Sequence, residues 1–248
     1  MNNRRREFGR GFRAWVVAAA LSTVALVAAG CGTDVFDVDV TLQRQTYSTD
    51  FGNAQGTIPV VACDPSGVDV CGAVVGSTEV SSGTVTAEVQ TACDATLLRC
   101  FARARAVGFT AVDVLQDDAF VTKVERRAVV IVRQADIAIN VPVNSLTFAV
   151  PAIQIYVGPA GSTRETDAGV VSVGVTEPLA AGATVADGEA RHLVVRDGSP
   201  AHSFMSQAIR GKQTMVFLVV MTPRLDAGAA VPAGALEVDL VPRLTVGF

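Results

Sequence analysis

Residues 215–221 read Met215-Val216-Phe217-Leu218-Val219-Val220-Met221, an apolar run closed by Pro223. It is too short to cross a bilayer, which takes about 20 residues of helix. A short run rich in β-branched residues reads as a central strand buried on both faces. Downstream, Leu236, Val238 and Leu240 alternate with Glu237, Asp239 and Val241, and Leu244-Thr245-Val246 closes the chain. Upstream, Val38, Val40 and Leu42 alternate with Asp37, Asp39, Thr41 and Gln43. Val85, Ala87 and Val89 alternate in the same way with Thr84, Thr86 and Glu88. Period-two alternation is the mark of a half-buried strand.

The stretch from Ala128 to Val157 is β-rich: Val129–Val132, Ile137–Ile139, Leu146–Val150 and Ile153–Val157. Pro142 and Pro151 punctuate it, and proline is excluded from central strand positions. Val170–Val175 and His192–Arg196 read as two more short strands, separated by a small-residue loop at Leu179–Asp187. Many short strands between turns predict an all-β fold, a β-sandwich of the immunoglobulin-like class. One short helix is expected within it. Ser199 is its cap, Pro200 its first residue and Gly211 its stop. Phe204 with Ala208, and Met205 with Ile209, form i,i+4 pairs on one face.

The N-terminus reads differently. Asn3-Arg4-Arg5-Arg6 is basic, Ala14 to Val27 is apolar, and Ala28-Ala29-Gly30 stand directly before Cys31. That order is the layout of a secretory signal peptide. The Ala28-Ala29-Gly30-Cys31 sequence resembles the lipobox of bacterial lipoprotein precursors, with Ala28 in the place where leucine is usual. The resemblance covers about the first thirty residues. It implies removal of a signal helix at 1–30 and lipidation of Cys31, the thiol taking a diacylglyceryl group and the freed amine an acyl (palmitate-like) chain. Two or more chains anchor stably where one does not. With Gly32 second in the mature chain, the resemblance implies the outer membrane of a diderm bacterium. Arg5-Arg6-Glu7-Phe8 also resembles a twin-arginine core, although adjacent arginines are ordinary in a basic leader.

The expected organisation is therefore 1–30 as signal peptide, 31–56 as lipidated tether and first strand, and 57–248 as a single β-rich domain with a cysteine-containing section at 63–100. The leader takes five arginines and one glutamate, which leaves 15 basic against 23 acidic residues. Only Lys123 and Lys212 remain as lysines, and the sole tryptophan, Trp15, lies in the leader. An acidic chain without a basic stripe speaks against nucleic acid as a partner.

Cys63, Cys71, Cys93 and Cys100 remain after Cys31. An exported chain lives where disulfides persist. Four cysteines allow three pairings. Both halves read Cys-Asp, a short loop, then Cys, and this echo favours the local bridges Cys63–Cys71 and Cys93–Cys100. The segment from Leu97 to Arg105 also has a helical spacing. A helix would hold Cys93 and Cys100 about 10 Å apart, too far for a bridge. The local pairing therefore requires a hairpin. A zinc site is the rival reading, but the tight pairs of structural zinc sites are missing.

No nucleotide-binding glycine loop and no G-x-S-x-G elbow appear, since Val170-Val171-Ser172-Val173-Gly174 lacks the first glycine. The two histidines are His192 and His202, with Asp197 between them. No H-E-x-x-H or H-x-H spacing points to a metal. Asp64 to Asp69 and Gln116-Asp117-Asp118 offer oxygens for calcium, but acidic turn residues are ordinary turn chemistry. Arg103, Arg105, Arg126 and Arg127 read as solvated positions balancing nearby acids. The expectation is a non-catalytic envelope lipoprotein without cofactor or metal, anchored to the membrane and binding or scaffolding an envelope partner. One alternative is an exported hydrolase or metal-dependent enzyme using His192, His202 and Asp197. Another is a carrier with a closed apolar cavity.

Overall fold

The computed structural model describes residues 37–50, 58, 60–66, 71, 79–82, 85–125, 130–229 and 233–248. The expected signal peptide at 1–30 and Cys31, Asp69, Arg126 and Arg127 lie outside the described residues. Among those described, the chain forms two antiparallel sheets with one helix of more than two turns, an all-β sandwich.

The first sheet contains β1 (Asp37–Thr41), β2 (Gln45–Asp50), β6 (Ile131–Asn144), β9 (Arg191–Val195) and β12 (Ala235–Gly247). β1 and β2 lie end to end along the same side of β12, and β6 and then β9 follow on its other side. The segment before Phe51 therefore holds two strands where the alternation suggested one. The break has a cause in the neighbouring strand. β1 pairs up to Arg243 and β2 resumes at Leu240, so Pro242 faces the gap. Proline gives no N–H to a ladder; its carbonyl accepts from Leu42 N at 2.9 Å. Pro142 lies inside β6, where the register with β12 shifts between Glu237 and Asp239. An irregularity is where a strand tolerates proline, so the proline does not end the strand and β6 runs on through 144. Leu146–Val150 is not a strand; only Val150 forms a bridge, with Leu179.

The second sheet runs β3 (Glu79–Ser82), β4 (Val85–Asp94), β5 (Arg99–Val112), β10 (Met215–Met221), β7 (Gln154–Pro159) and β8 (Val171–Val175). The two-residue β11 (Arg224–Leu225) extends β10 along β5. β10 is buried along its whole length, as its sequence predicts. Met215, Phe217, Val219 and Met221 join the core between the sheets. Val216, Leu218 and Val220 face the other way and cluster with Val107, Tyr156 and Val170. The connection from β7 to β8 covers this outer face. Arg105 on β5 binds Glu165 of that connection with both its Nε and Nη2, so the strap crosses β10. Gly158 is small for the same reason: a Cβ there would lie 2.6 Å from Val170 Cγ2.

The helix α2 (Pro200–Gly211) follows the expected design. Ser199 Oγ accepts from His202 N, and Met205, Ala208 and Ile209 are buried. Its left-handed cap is Lys212, one residue beyond the expected glycine. α2 packs on β6 of one sheet and on β7 and β8 of the other, which fills the gap between them. A second helix, α1 (Asp118–Lys123), was not expected; at six residues it is too short to show a period. Asp117 caps it, accepting from Phe120 N and also from Gln43 N, which ties α1 to the β1–β2 corner.

Tyr47 joins the sheets. Its ring is buried, and its hydroxyl donates to the Phe217 carbonyl at 3.0 Å. Burial pushes its phenol above the ordinary tyrosine range.

Candidate functional site

The expected hairpin through Cys93 and Cys100 is present: β4 and β5 pair continuously, with Cys93 opposite Cys100. The pairing of the cysteines is not the local one. The bridges are Cys63–Cys93 and Cys71–Cys100, with sequence separations of 30 and 29. The hairpin is already closed by its ladder, so a Cys93–Cys100 bridge would restrain little. Instead residues 61–63 come alongside β5. Cys100 N donates to Val61 O, Cys63 N donates to Leu98 O, and Ala62 bridges Arg99. That placement delivers Cys63 to the hairpin, and the Cys71 bridge ties a second point of the same segment.

The hairpin end carries its own polar lock. Asp94 accepts from the N–H groups of Thr96 and Leu97 and pairs with Arg224. Arg224 also reaches Asp226 and lies 4.1 Å over the Phe101 ring. The Arg224 guanidinium, followed by the backbone donors of Leu97 and Thr96, holds the Asp94 carboxyl down at about 2. A depressed folded-state value stabilises the fold above the unfolded value of about 4, and that contribution disappears as pH falls towards 2. We expect an NMR titration to place the Asp94 midpoint near 2. In Arg224→Gln the midpoint rises towards the ordinary carboxylate range; an unmoved midpoint refutes the assignment. Val60, Leu97 and Leu98 stand exposed at this end.

The two histidines have different partners. His192 Nδ1 lies 2.6 Å from Asp136 Oδ2. His202 Nδ1 lies 3.3 Å from Asp197 Oδ1, and its Nε2 lies 3.1 Å from the Val132 carbonyl. Of His192, His202 and Asp197, the structure therefore brings together only the last two. His192 is opposite Ala138 on β6, six residues along the strand from Val132, or about 20 Å at the strand rise. His202 fastens α2 to β6. It is buried on the helix's inner side, and both ring nitrogens face oxygens of the protein.

Asp136 leads to a site the sequence did not reveal. It lines a groove of about 380 Å³ with Asp39, Thr41, Gln134, Arg243 and Thr245. These come from three neighbouring strands, β1, β12 and β6, whose registers align Thr41–Arg243–Asp136 and Asp39–Thr245–Gln134. Thr245 Oγ1 donates to Asp39 Oδ1 at 2.9 Å. Asp136 Oδ1 is buried without a hydrogen-bond partner. The groove thus offers two carboxylates, a guanidinium, an amide and hydroxyls, a set suited to holding a polar ligand by hydrogen bonds. No protein-family model matches the chain. No curated protein matches it either. The chemistry of the site therefore rests on its geometry.

Further along the same face, Arg44 is clamped between two acids. Its Nη1 donates to Asp239 Oδ2 at 3.1 Å, and its Nη2 to both oxygens of Asp187 at 3.0 Å. Asp239 is nearly inaccessible, and its other oxygen accepts from Thr46. Arg44→Ala leaves that buried carboxylate one charged partner short. We expect a loss of about 1–3 kcal/mol in urea unfolding, and no change would show that Thr46 suffices. The acidic segments read as calcium candidates have local duties instead: Asp64 accepts from Ser66, and Asp117 caps α1.

Proposed function

We propose that the protein is a lipid-anchored envelope protein whose β-sandwich binds or scaffolds a partner without catalysing a reaction. The observation that carries this reading is the lipobox-like Ala28-Ala29-Gly30-Cys31, only six residues ahead of the first strand at Asp37. Six residues reach about 20 Å at most, so an anchor at Cys31 holds that end of the sandwich close to the bilayer. β1 packs against α1, which follows the end of β5, and the hairpin end lies at the start of β5. Fourteen residues of strand put about 40 Å between the two ends. The bridged hairpin with exposed Val60, Leu97 and Leu98 thus stands away from the anchored end, where a partner in the envelope would meet it.

The test is Cys31→Ala. The variant is expected in the soluble fraction, with the unaltered chain in the membrane fraction. Intact mass of the unaltered chain is expected to show loss of residues 1–30 and addition of acyl groups. A retained leader or a bare thiol would refute the proposal. The His192, His202 and Asp197 reading gains no support from the geometry, because His192 belongs to a different carboxylate. The groove and its neighbour at Gln116–Ala119 are lined mostly by polar residues and contain no phenylalanine, so they do not favour the carrier reading.

A further inference from the structure

The two disulfides form one sulfur cluster. Cys63, Cys71 and Cys100 hold their sulfurs within 4.8 Å of one another. Cys63 is bonded to Cys93 and Cys71 to Cys100, so all four cysteines belong to the group. The hairpin register explains the crowding: Cys93 and Cys100 are opposite each other, with side chains on one face of the ladder, and residues 61–63 and Cys71 meet them there.

The cluster has an outside and an inside. Cys71 and Cys100 are 0% and 1% exposed and the Cys63 sulfur is buried beside theirs, whereas Cys93 is half-buried and gives the outer bridge its exposed side. A reductant arriving from solution meets the Cys63–Cys93 bridge first. Exchange proceeds by attack of a thiolate on a disulfide sulfur. Once the outer bridge opens, the Cys63 sulfur is already beside both sulfurs of the inner one. We propose that the four cysteines are a thiol–disulfide exchange site for a dithiol substrate, with Cys63–Cys93 as the entry bridge and Cys63 as the relay to Cys71–Cys100.

The steps balance. A substrate thiolate attacks Cys93 Sγ, forms a mixed disulfide and releases the Cys63 thiolate. The second substrate thiolate attacks the substrate sulfur of that mixed disulfide, and the substrate leaves as its own disulfide with Cys93 released as thiolate. The substrate has lost two electrons and the outer bridge has gained them. The Cys63 thiolate then attacks Cys71 or Cys100, forms a bridge to it and releases the other as thiolate. The reducing equivalents now sit partly on a buried cysteine that the substrate never reached. This site does not depend on the lipid anchor, so either proposal can fail alone.

The relay is testable in the oxidised full chain. At about pH 5 only about one ordinary thiol in three thousand is ionised, so a limiting phosphine opens a bridge without exchange. Alkylation and peptide mass mapping are expected to find Cys63 and Cys93 as the freed pair. Opening of Cys71–Cys100 first would overturn the proposal. The singly reduced protein is then moved to about pH 8 and alkylated at intervals. The expected species has Cys63 bridged to Cys71 or Cys100 and free Cys93, rising to at least about a tenth of the singly reduced protein as thiolate forms. Persistence of Cys71–Cys100 as the sole remaining bridge over an hour would overturn the relay. In a Cys63→Ser, Cys93→Ser chain, reduction of the inner bridge by dithiothreitol is expected to slow at least tenfold. An unchanged or faster rate counts against it. The mapping on the unaltered chain decides the matter even where that variant fails to fold.

Discussion

Phe217→Ala lowers the free energy of unfolding by about 3–5 kcal/mol, the range for truncating a large aromatic side chain in a packed core. Phe217 is fully buried at the middle of β10, on the face that meets the other sheet. Its backbone partners are Thr110 on β5 and Val157 on β7, so its site is enclosed on both sides by paired strands. Paired backbone cannot collapse into the space a lost ring leaves, which puts the cost towards the upper part of that range. Its carbonyl also accepts from Tyr47, the residue that joins the two sheets. Typical domains have only about 5–15 kcal/mol in total, so the variant is expected to unfold at a much lower urea concentration with an unchanged slope. A loss below about 1 kcal/mol would mean that Phe217 does not sit in a rigid core.

Removing the inner disulfide by Cys71→Ala with Cys100→Ala is expected to cost about 3.6 kcal/mol, from the chain entropy of a loop of this length. The bridge spans 29 residues. A local bridge of eight residues would contribute only about 2.5 kcal/mol on the same model. The difference is measurable by chemical denaturation, and it reports the connectivity as well as the stability. On the local pairing the same double substitution would break both bridges, Cys63–Cys71 and Cys93–Cys100, at a cost of about 5 kcal/mol; a loss near that figure, together with a Cys63–Cys71 peptide in a non-reducing digest of the unaltered protein, would restore the local pairing. The loops of the two bridges overlap, so removing both is expected to cost less than twice the single effect.

Much of the fold was legible because it rests on local patterns. The apolar run at 215–221 could be satisfied only by cover on both faces, and the structure supplies the sheet core on one side and the strap carrying Glu165 and Val170 on the other. Ser199, Pro200 and the i,i+4 pairs marked α2 because caps and helical faces are written within a dozen residues. α1 escaped notice because six residues are less than two turns and its cap, Asp117, is equally good turn chemistry. The split between β1 and β2 was hidden for a different reason. Its cause, Pro242, lies two hundred residues away along the chain and acts only once β12 is beside the break.

The candidate site was less legible than the fold. The pairing of His192 with Asp136, and the groove built from Asp39, Gln134, Arg243 and Thr245, depend on three or four strands arriving in one register. No spacing within a single strand announces such a meeting. The cysteines show the same division. Their number and the hairpin around two of them could be read directly, but which sulfur meets which is a matter of where residues 61–63 and Cys71 come to rest.

The amino-acid order by itself determined most of the strands and the long helix, because periodicity and caps are interactions between near neighbours. Only the tertiary structure decided the disulfide connectivity, the separation of the two histidines and the polar groove. Each of these joins groups far apart in sequence, and their distances are set by sheet register and by the packing of one segment on another.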